Sequence, residues 1–332
     1  MTEAYCGLGI ESFGGENGVP ENFAAMLRSL TRSERPTIAI VVSDESTDYR
    51  NEMAWLAAAM RKRDLADAWL RRPDEVLFTE DGLFIRHDDG RESRLDGLYR
   101  NFELFDLFNV PKQELMLYAA RHNRVKMTPP PKAPLEEKLA FALFHHHALA
   151  GLWRSELGDE RFVRLQRVLP RTWVLDPRPL PPQGTIAGLE AGGVPLSDFR
   201  QLIALPKSER SYVVKPSGFS QLAWGSRGVK VGDDLTRDEW ESAIDEALAS
   251  FERTPWILQR FHKGKLVKQR YLDRERDEIR EYEGRVRLCP YYFVTGEDSV
   301  QLGGVLATIA PADKRLIHGM SDAVMTSSIV RA

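Results

Sequence analysis

Lys215 stands in the alternating run Tyr212-Val213-Val214-Lys215-Pro216, with Ser217 directly after it and the small-residue loop Gly225-Ser226-Arg227-Gly228-Val229 a few positions on. A strand-borne lysine offers phosphate oxygens a compact positive charge, and glycines let backbone N–H groups approach those oxygens closely. Residue types at this spacing suit the holding of a nucleoside triphosphate. A solvent-facing strand lysine is the competing reading, and the loop that follows favours the first. Farther along, Arg285, Arg287, Cys289, Tyr291 and Phe293 alternate with Val286, Leu288, Pro290, Tyr292 and Val294, so both arginines share one sheet face. If that face lines a cleft, the pair forms an anion clamp for a triphosphate or a substrate carboxylate; if it faces solvent, the pair is a charged edge.

Other reactive types carry less. His145-His146-His147 lies in a helical pattern, where consecutive side chains point in different directions and do not converge on one metal. Cys289 reads as a small buried apolar group rather than a nucleophile. The stretch from Lys263 to Arg287 is rich in lysine and arginine but interleaved with Asp273, Glu275, Asp277, Glu278 and Glu281, which describes a solvated mixed-charge excursion rather than a nucleic-acid surface. The fingerprints of a P-loop, a dinucleotide-binding turn, a zinc protease and a serine-hydrolase elbow are missing from the sequence.

The elements that must position these groups can be read from periodicity. Thr37-Ile38-Ala39-Ile40-Val41-Val42 is a β-branched apolar run of the kind buried on both faces of a parallel sheet. Phe23, Met26, Leu27 and Leu30 before it, and Tyr49, Met53, Leu56, Ala57 and Met60 after it, recur at helical spacing. Glu80-Asp81-Gly82 predicts a hairpin between Val76-Leu77-Phe78 and Leu83-Phe84-Ile85. Gly97-Leu98-Tyr99 predicts a return strand that ends at Arg100 and Asn101, where open α/β sheets place ligands. Two proline-rich joints follow, Thr128 to Pro134 and Asp176 to Pro182. The first precedes a helix expected to carry Leu139, Leu143 and Leu149. Thr236 with Glu239 forms a capping box for a helix whose stripe is Trp240, Ile244, Ala247, Leu248 and Phe251, and Trp256 to Phe261 reads as the next strand.

At 332 residues and 42% apolar content the chain can bury a large core divided into lobes. A formal net charge of -3 argues against a general nucleic-acid binder, and the sequence has no apolar run long enough for a membrane span. Met1-Thr2-Glu3-Ala4-Tyr5 lacks the pattern of a secretory signal, so the cytoplasm is the expected compartment. Cys6 and Cys289, far apart in sequence, exclude a thiol-rich metal site and argue against a disulfide framework.

Taken in order, these pieces resemble the ATP-grasp superfamily, and within it glutathionylspermidine synthetase and the circularly permuted ATP-grasp group. The resemblance runs from Pro36 to Val330. It rests on Ile38 to Val42, the helix with Glu52, and Asp96-Gly97-Leu98-Tyr99-Arg100, then on Glu137-Lys138, Val213-Val214-Lys215-Pro216, Gly225 to Val229, Trp256-Ile257-Leu258-Gln259, and Gly303-Gly304-Val305-Leu306. It implies an α/β fold with α+β lobes: an N-terminal extension over 1–35, a pre-ATP-grasp α/β domain over 36–127, and an ATP-grasp-like domain over 128–332. In that last domain a small lobe would span about 185–255 and a C-terminal lobe about 256–332.

The activity implied is that of an ATP-dependent carboxylate–amine ligase passing through an acyl phosphate, with ATP and magnesium and small-molecule acid and amine substrates. Lys138, Lys215, Ser217 and the loop Gly225, Ser226, Arg227, Gly228 and Val229 would hold phosphates, Gln259, Arg260 and Phe261 would form the adenine edge, and Arg285 and Arg287 would act on the reacting groups. Many members hold magnesium with an Arg-x-Asp on one late strand and a Glu-x-Asn on the next. Here Arg287-Leu288 is followed by Cys289 and the next strand offers Gly303-Gly304, which leaves Asp313 and Asp322 as substitutes. The alternative reading is a non-catalytic module of the same fold that binds a nucleotide or a partner.

Overall fold

The structure, a computed structural model, describes residues 2–217, 220–223, 225–273, 275–317 and 323–330. The chain folds as two compact units, one made of Met1–Pro131 with Gly264–Ala332 and the other of Lys132–Lys263. The fold is mixed α/β, with parallel and antiparallel sheets, as the sequence pattern predicts. Among the described residues no helix is long and apolar enough to cross a membrane.

The first unit begins with α1 (Thr2–Gly7), α2 (Gly18–Thr31), β1 (Thr37–Val42), α3 (Arg50–Lys62) and β2 (Asp67–Arg71). The hairpin of β3 (Val76–Thr79) and β4 (Gly82–Arg86), extended by β5 (Glu92–Arg94), leads to β6 (Gly97–Asn101), α4 (Gln113–Arg121) and β7 (Lys126–Thr128). Strands β2, β1, β6 and β7 pair in parallel in that order. The two-residue side-chain period explains why β1 is apolar throughout. Ile38, Ile40 and Val42 face a core built with Phe23, Leu27, Leu56 and Met60 of α2 and α3, whereas Ala39 and Val41 face one built with Val76, Leu83 and Ile85 of the hairpin and Met116 of α4. Arg100, at the carboxyl end of β6, is buried, and its guanidinium donates to the carbonyl oxygens of Pro129 and Phe102. It braces the backbone there, which accounts for its position without a ligand.

The second unit opens with α5 (Leu139–His145), α6 (Ala150–Leu157), α7 (Asp159–Val168), β8 (Thr172–Val174) and the short hairpin β9 (Glu190–Ala191) and β10 (Val194–Pro195). It continues through β11 (Tyr212–Pro216), β12 (Lys230–Val231), α8 (Arg237–Ala249) and β13 (Trp256–Arg260). An antiparallel sheet in the order β12-β11-β13-β8 results. One face, with Trp173, Tyr212, Val214, Trp256 and Leu258, packs against Trp240, Ile244, Ala247 and Leu248 of α8. The expected capping box is present: Thr236 Oγ1 accepts from the Glu239 N–H, and Glu239 returns the contact to the Thr236 N–H.

Helix α5 departs from its expected stripe. Leu143 is exposed, and Ala142, Phe144 and His145 are the buried side chains. Two turns packed against β8 and β13 are oriented by those strands rather than by a leucine period. His145 accordingly sits in the core with Nδ1 against the Phe141 carbonyl oxygen at 2.9 Å, and burial pushes its pKa down.

The chain then returns to the first unit through β14 (Leu266–Asp273), β15 (Glu278–Val294), β16 (Val300–Pro311) and β17 (Val324–Ser327), an antiparallel meander. Residues 264–332 therefore lie with the N-terminal unit, whereas the resemblance groups them in a domain over 128–332. Phe293 enters the core of α2 and α3, edge-on to Phe23 at 5.8 Å between ring centroids. Residues 18–31, expected to be part of an extension, are likewise a core helix of this unit.

Candidate functional site

The register of the second unit places Lys215 on the sheet face turned away from the α8 core. Val213 pairs with Gln259 and Gln259 with Thr172, while Lys215 pairs with Ile257 and Ile257 with Val174, so these side chains share that face. A relay of hydrogen bonds fixes the ammonium there. Lys215 Nζ donates to Gln259 Oε1 at 2.9 Å, Gln259 Nε2 donates to Thr172 Oγ1 at 3.0 Å, and Thr172 Oγ1 donates to the Pro170 carbonyl oxygen at 2.8 Å. An ammonium carries three donors, and this neutral amide engages one. Among the described residues no carboxylate pairs with Lys215.

Lys138, at the N-cap of α5, reaches the same neighbourhood, and its Nζ donates to the Ala223 carbonyl oxygen at 2.8 Å. Ser217 fastens the two segments together. Its hydroxyl donates to Glu137 Oε2 at 2.7 Å and accepts from the Leu139 N–H at 2.9 Å. The buried Ser217 O–H is thus committed to Glu137, so its role in the structure is to hold Glu137-Lys138 against the end of β11 rather than to present a hydroxyl to phosphate. No local pattern signals this tether, because its partners are 78 and 80 positions away.

Burial, and then the neighbouring Lys138, lower the Lys215 pKa from 10.5. The sign follows directly. The protonated form is disfavoured in the folded chain, so the resulting destabilisation is full below the folded pKa and is relieved as pH rises toward 10.5. A bound polyanion reverses the preference. ATP affinity is therefore expected to fall as pH is raised through the folded pKa of Lys215, with net proton uptake on binding in that window. Titration calorimetry in two buffers of different ionisation enthalpy measures both, and a pH-independent affinity without uptake would remove Lys215 from the contact.

The glycine loop is a closed turn. Gly225 and Ser226 take left-handed conformations with φ of 60° and 63°, the Gly228 N–H donates to the Leu222 carbonyl oxygen at 2.8 Å, and the Val229 N–H donates to that of Ser226 at 3.1 Å. Gly225 and Arg227 are exposed at the tip, whereas Gly228 and Val229 turn their amides inward. A Cβ on Gly228 would lie 2.8 Å from both the Leu222 oxygen and Pro216 Cγ. Gly228→Ala is expected to destabilise the unit by about 1–3 kcal/mol, measured by urea unfolding, and to lower ATP affinity in parallel. Gly218, which ends the lysine strand motif, lies outside the described residues.

The adenine edge expected at Gln259, Arg260 and Phe261 is occupied by the protein itself. The Arg260 N–H donates to the Arg171 carbonyl oxygen at 2.9 Å and the Phe261 N–H to that of Ser211 at 3.0 Å, while the Gln259 side chain serves the relay. Strand β13 is flanked on both sides, by β11 and β8, and its N–H groups are consumed there. Arg260 and Phe261 do line a polar cavity of about 600 Å³ with Glu190, Glu209, Tyr212 and His262.

Arg285 and Arg287 belong to the first unit. Arg285 donates from Nη1 to the Gly264 carbonyl oxygen at 2.9 Å and from Nε to that of Ala312 at 3.2 Å, so it ties β15 to the chain on either side of it instead of standing open as a clamp. Arg287 is exposed and acts electrostatically on Tyr49 and Tyr291. Across the ladder Cys289 faces Leu306 and Gly304 faces Tyr291, so a thiol and backbone stand where the resemblance calls for hard side-chain oxygens. Asp313 is exposed in a turn, and Asp322 lies outside the described residues. Among the described residues no cluster of three or more His, Cys, Asp or Glu could hold a metal.

No protein-family model and no curated protein sequence matches the chain. Among solved structures it is similar to a glutathione synthetase-like effector from Globodera pallida in its apo form, with a TM-score of 0.47 and 8% sequence identity. The match covers 94% of this chain, which spans 60% of the length of that one.

Proposed function

We propose that the second unit binds the triphosphate of ATP through Lys138 and Lys215 at the sheet face opposite α8, and that the protein uses ATP to join a carboxylate to an amine. The observation that carries this reading is the state of Lys215: a partly buried ammonium aimed by a neutral relay, near a second lysine and without a carboxylate partner among the described residues. A partly buried ammonium with a like charge nearby is unfavourable until an anion joins it. The exposed tip of the loop from Gly225 to Val229 is a further group able to meet such an anion, and the cavity beside Arg260 and Phe261 has carboxylates able to accept from hydroxyl or amino groups.

In the reaction proposed, a substrate carboxylate oxygen attacks the γ-phosphorus of ATP and ADP leaves; an amine then attacks the acyl carbon and inorganic phosphate leaves, giving an amide. The contribution of this chain would be to hold the phosphates in line and neutralise their charge. Cys289 and Gly303-Gly304 do not fit a magnesium site, and no step is assigned to that ion.

Incubation with ATP, magnesium and pools of acids and amines should yield ADP and phosphate in equal amounts, dependent on both pools. Silence across broad pools in a folded sample that binds ATP would favour a second reading, a nucleotide-binding module without turnover. That reading draws on the missing carboxylates at Cys289 and Gly303-Gly304 and on the engaged N–H groups of Arg260 and Phe261. A thermal shift with ATP tests what the two readings share, since saturation at 100 times the dissociation constant stabilises by about 2.7 kcal/mol.

A further inference from the structure

The first unit contains a cavity of about 520 Å³, inside the usual range of small-molecule sites, about 300–1,000 Å³. Its walls are mostly apolar. Phe13, Trp55 and Tyr291 supply three aromatic side chains, and Val19, Met53 and Leu56 add apolar ones without rings. Close backbone approach shapes the space. A Cβ on Gly14, whose φ is +82°, would fall 2.1 Å from the Gly303 carbonyl oxygen, and one on Gly18 would fall 2.5 Å from it. The glycine pair Gly303-Gly304 thus lets the start of α2 sit directly on β16, a role independent of any metal.

The charges around the cavity offset one another. Glu52 lies in the first turn of α3, whose N-terminal end, like that of α2, carries about half a positive charge. Arg287, exposed on the strand that carries Tyr291, acts on that phenol in the opposite sense to Glu52. Glu16 is already partnered within the chain. Neither sign dominates the wall. An ion entering it would lose hydration without a matching Coulombic gain, whereas a neutral molecule loses little. Burial, and then Cys289 and Glu52, raise the Tyr291 pKa, so its ring and hydroxyl are offered uncharged. Trp55 is 57% exposed although it lies on a helix whose other face is core, so its indole meets a ligand at little cost to the fold.

We infer that this cavity binds a small uncharged aromatic molecule of one or two rings, held against Trp55, Tyr291 and Phe13. An apolar wall with a few polar groups is the usual make-up of a small-molecule site. Ring-to-ring contacts raise affinity about two- to tenfold beyond the area they bury, which favours an aromatic body over a saturated one of equal size. The inference stands apart from the nucleotide reading, which concerns residues of the other unit.

The test uses titration calorimetry on the full chain at neutral pH. It compares p-cresol, tyramine and 4-hydroxyphenylacetate, which share a phenol ring and differ in charge, and adds 4-methylcyclohexanol as the saturated counterpart of p-cresol. Saturable p-cresol binding is expected, about tenfold tighter than either ion and about threefold tighter than 4-methylcyclohexanol. Trp55→Ala, at an exposed position, should weaken p-cresol about tenfold with the unfolding temperature unchanged, and Trp55→Phe should keep most of the affinity. Either ion binding as tightly as p-cresol, equal affinity for the saturated ring, an unaltered p-cresol affinity in Trp55→Ala, or no saturable binding of p-cresol would overturn the inference.

Discussion

Lys215→Ala is expected to weaken ATP binding about ten- to a hundredfold, because a charge-assisted contact to phosphate contributes roughly 1.5–3 kcal/mol. The folded chain should tolerate the change well. The ammonium sits on the sheet face opposite the α8 core, and its removal relieves the burial and the proximity to Lys138 that depress its pKa. Unfolding by urea at neutral pH should therefore show equal or greater stability for the variant alongside the lost affinity. The combination is diagnostic: a purely structural lysine would show the opposite pairing, with ATP affinity kept and stability lowered. The Gln259 relay gives a graded version. Gln259→Leu leaves the charge but removes its aim, so the loss of affinity should be smaller than that of Lys215→Ala.

Trp240→Ala should destabilise the second unit by about 3–5 kcal/mol. Trp240 is fully buried at the centre of the core that backs β11 and β13, and its Nε1 donates to the Leu202 carbonyl oxygen at 2.8 Å. Truncation leaves a cavity and removes one of the two hydrogen bonds that the Leu202 carbonyl oxygen accepts, the other coming from the Leu205 N–H at 3.1 Å. Because α8 holds the sheet from the face opposite Lys215, ATP should partly restore the unfolding midpoint of this variant if the Lys215 face is the nucleotide site. Circular dichroism in urea, with and without ATP, measures both effects, and a loss below about 1 kcal/mol would show that the core adapts around the missing indole.

The readable parts of the fold are those whose pattern is local. The apolar run of β1, the hairpin of β3 and β4, the capping box at Thr236 and the strands carrying Lys215 and Gln259 each announce themselves within a few residues. What escapes a sequence reading is set by distant partners. The tether from Ser217 to Glu137 and the close approach of Gly14 and Gly18 to Gly303 join segments far apart in sequence, and the membership of 264–332 in the first unit follows from such pairings. The buried face of α5 differs from its expected stripe for a related reason: a helix of two turns has too few positions to define a stripe, so the strands beneath it choose which side chains are covered.

Within the candidate site, types and spacing bring Lys215 forward and the resemblance brings Lys138, and the two lie in one unit with the loop beside them. The roles of Ser217 and of the Arg260 and Phe261 N–H groups are not legible, since nothing in a side-chain pattern says whether a hydroxyl or an amide is already bonded. Arg285 shows the same limit. Period two places it correctly on a strand face, yet its guanidinium is engaged by the carbonyl oxygens of Gly264 and Ala312.

Titration of the unmodified protein with ATP, followed by competition with inorganic tripolyphosphate, tests most directly whether the Lys138 and Lys215 face grips a polyphosphate. Saturable ATP binding that tripolyphosphate displaces, and that weakens as salt is raised, is the predicted result. A folded sample that takes up no ATP at millimolar concentration, or one whose bound ATP tripolyphosphate cannot displace, would contradict it.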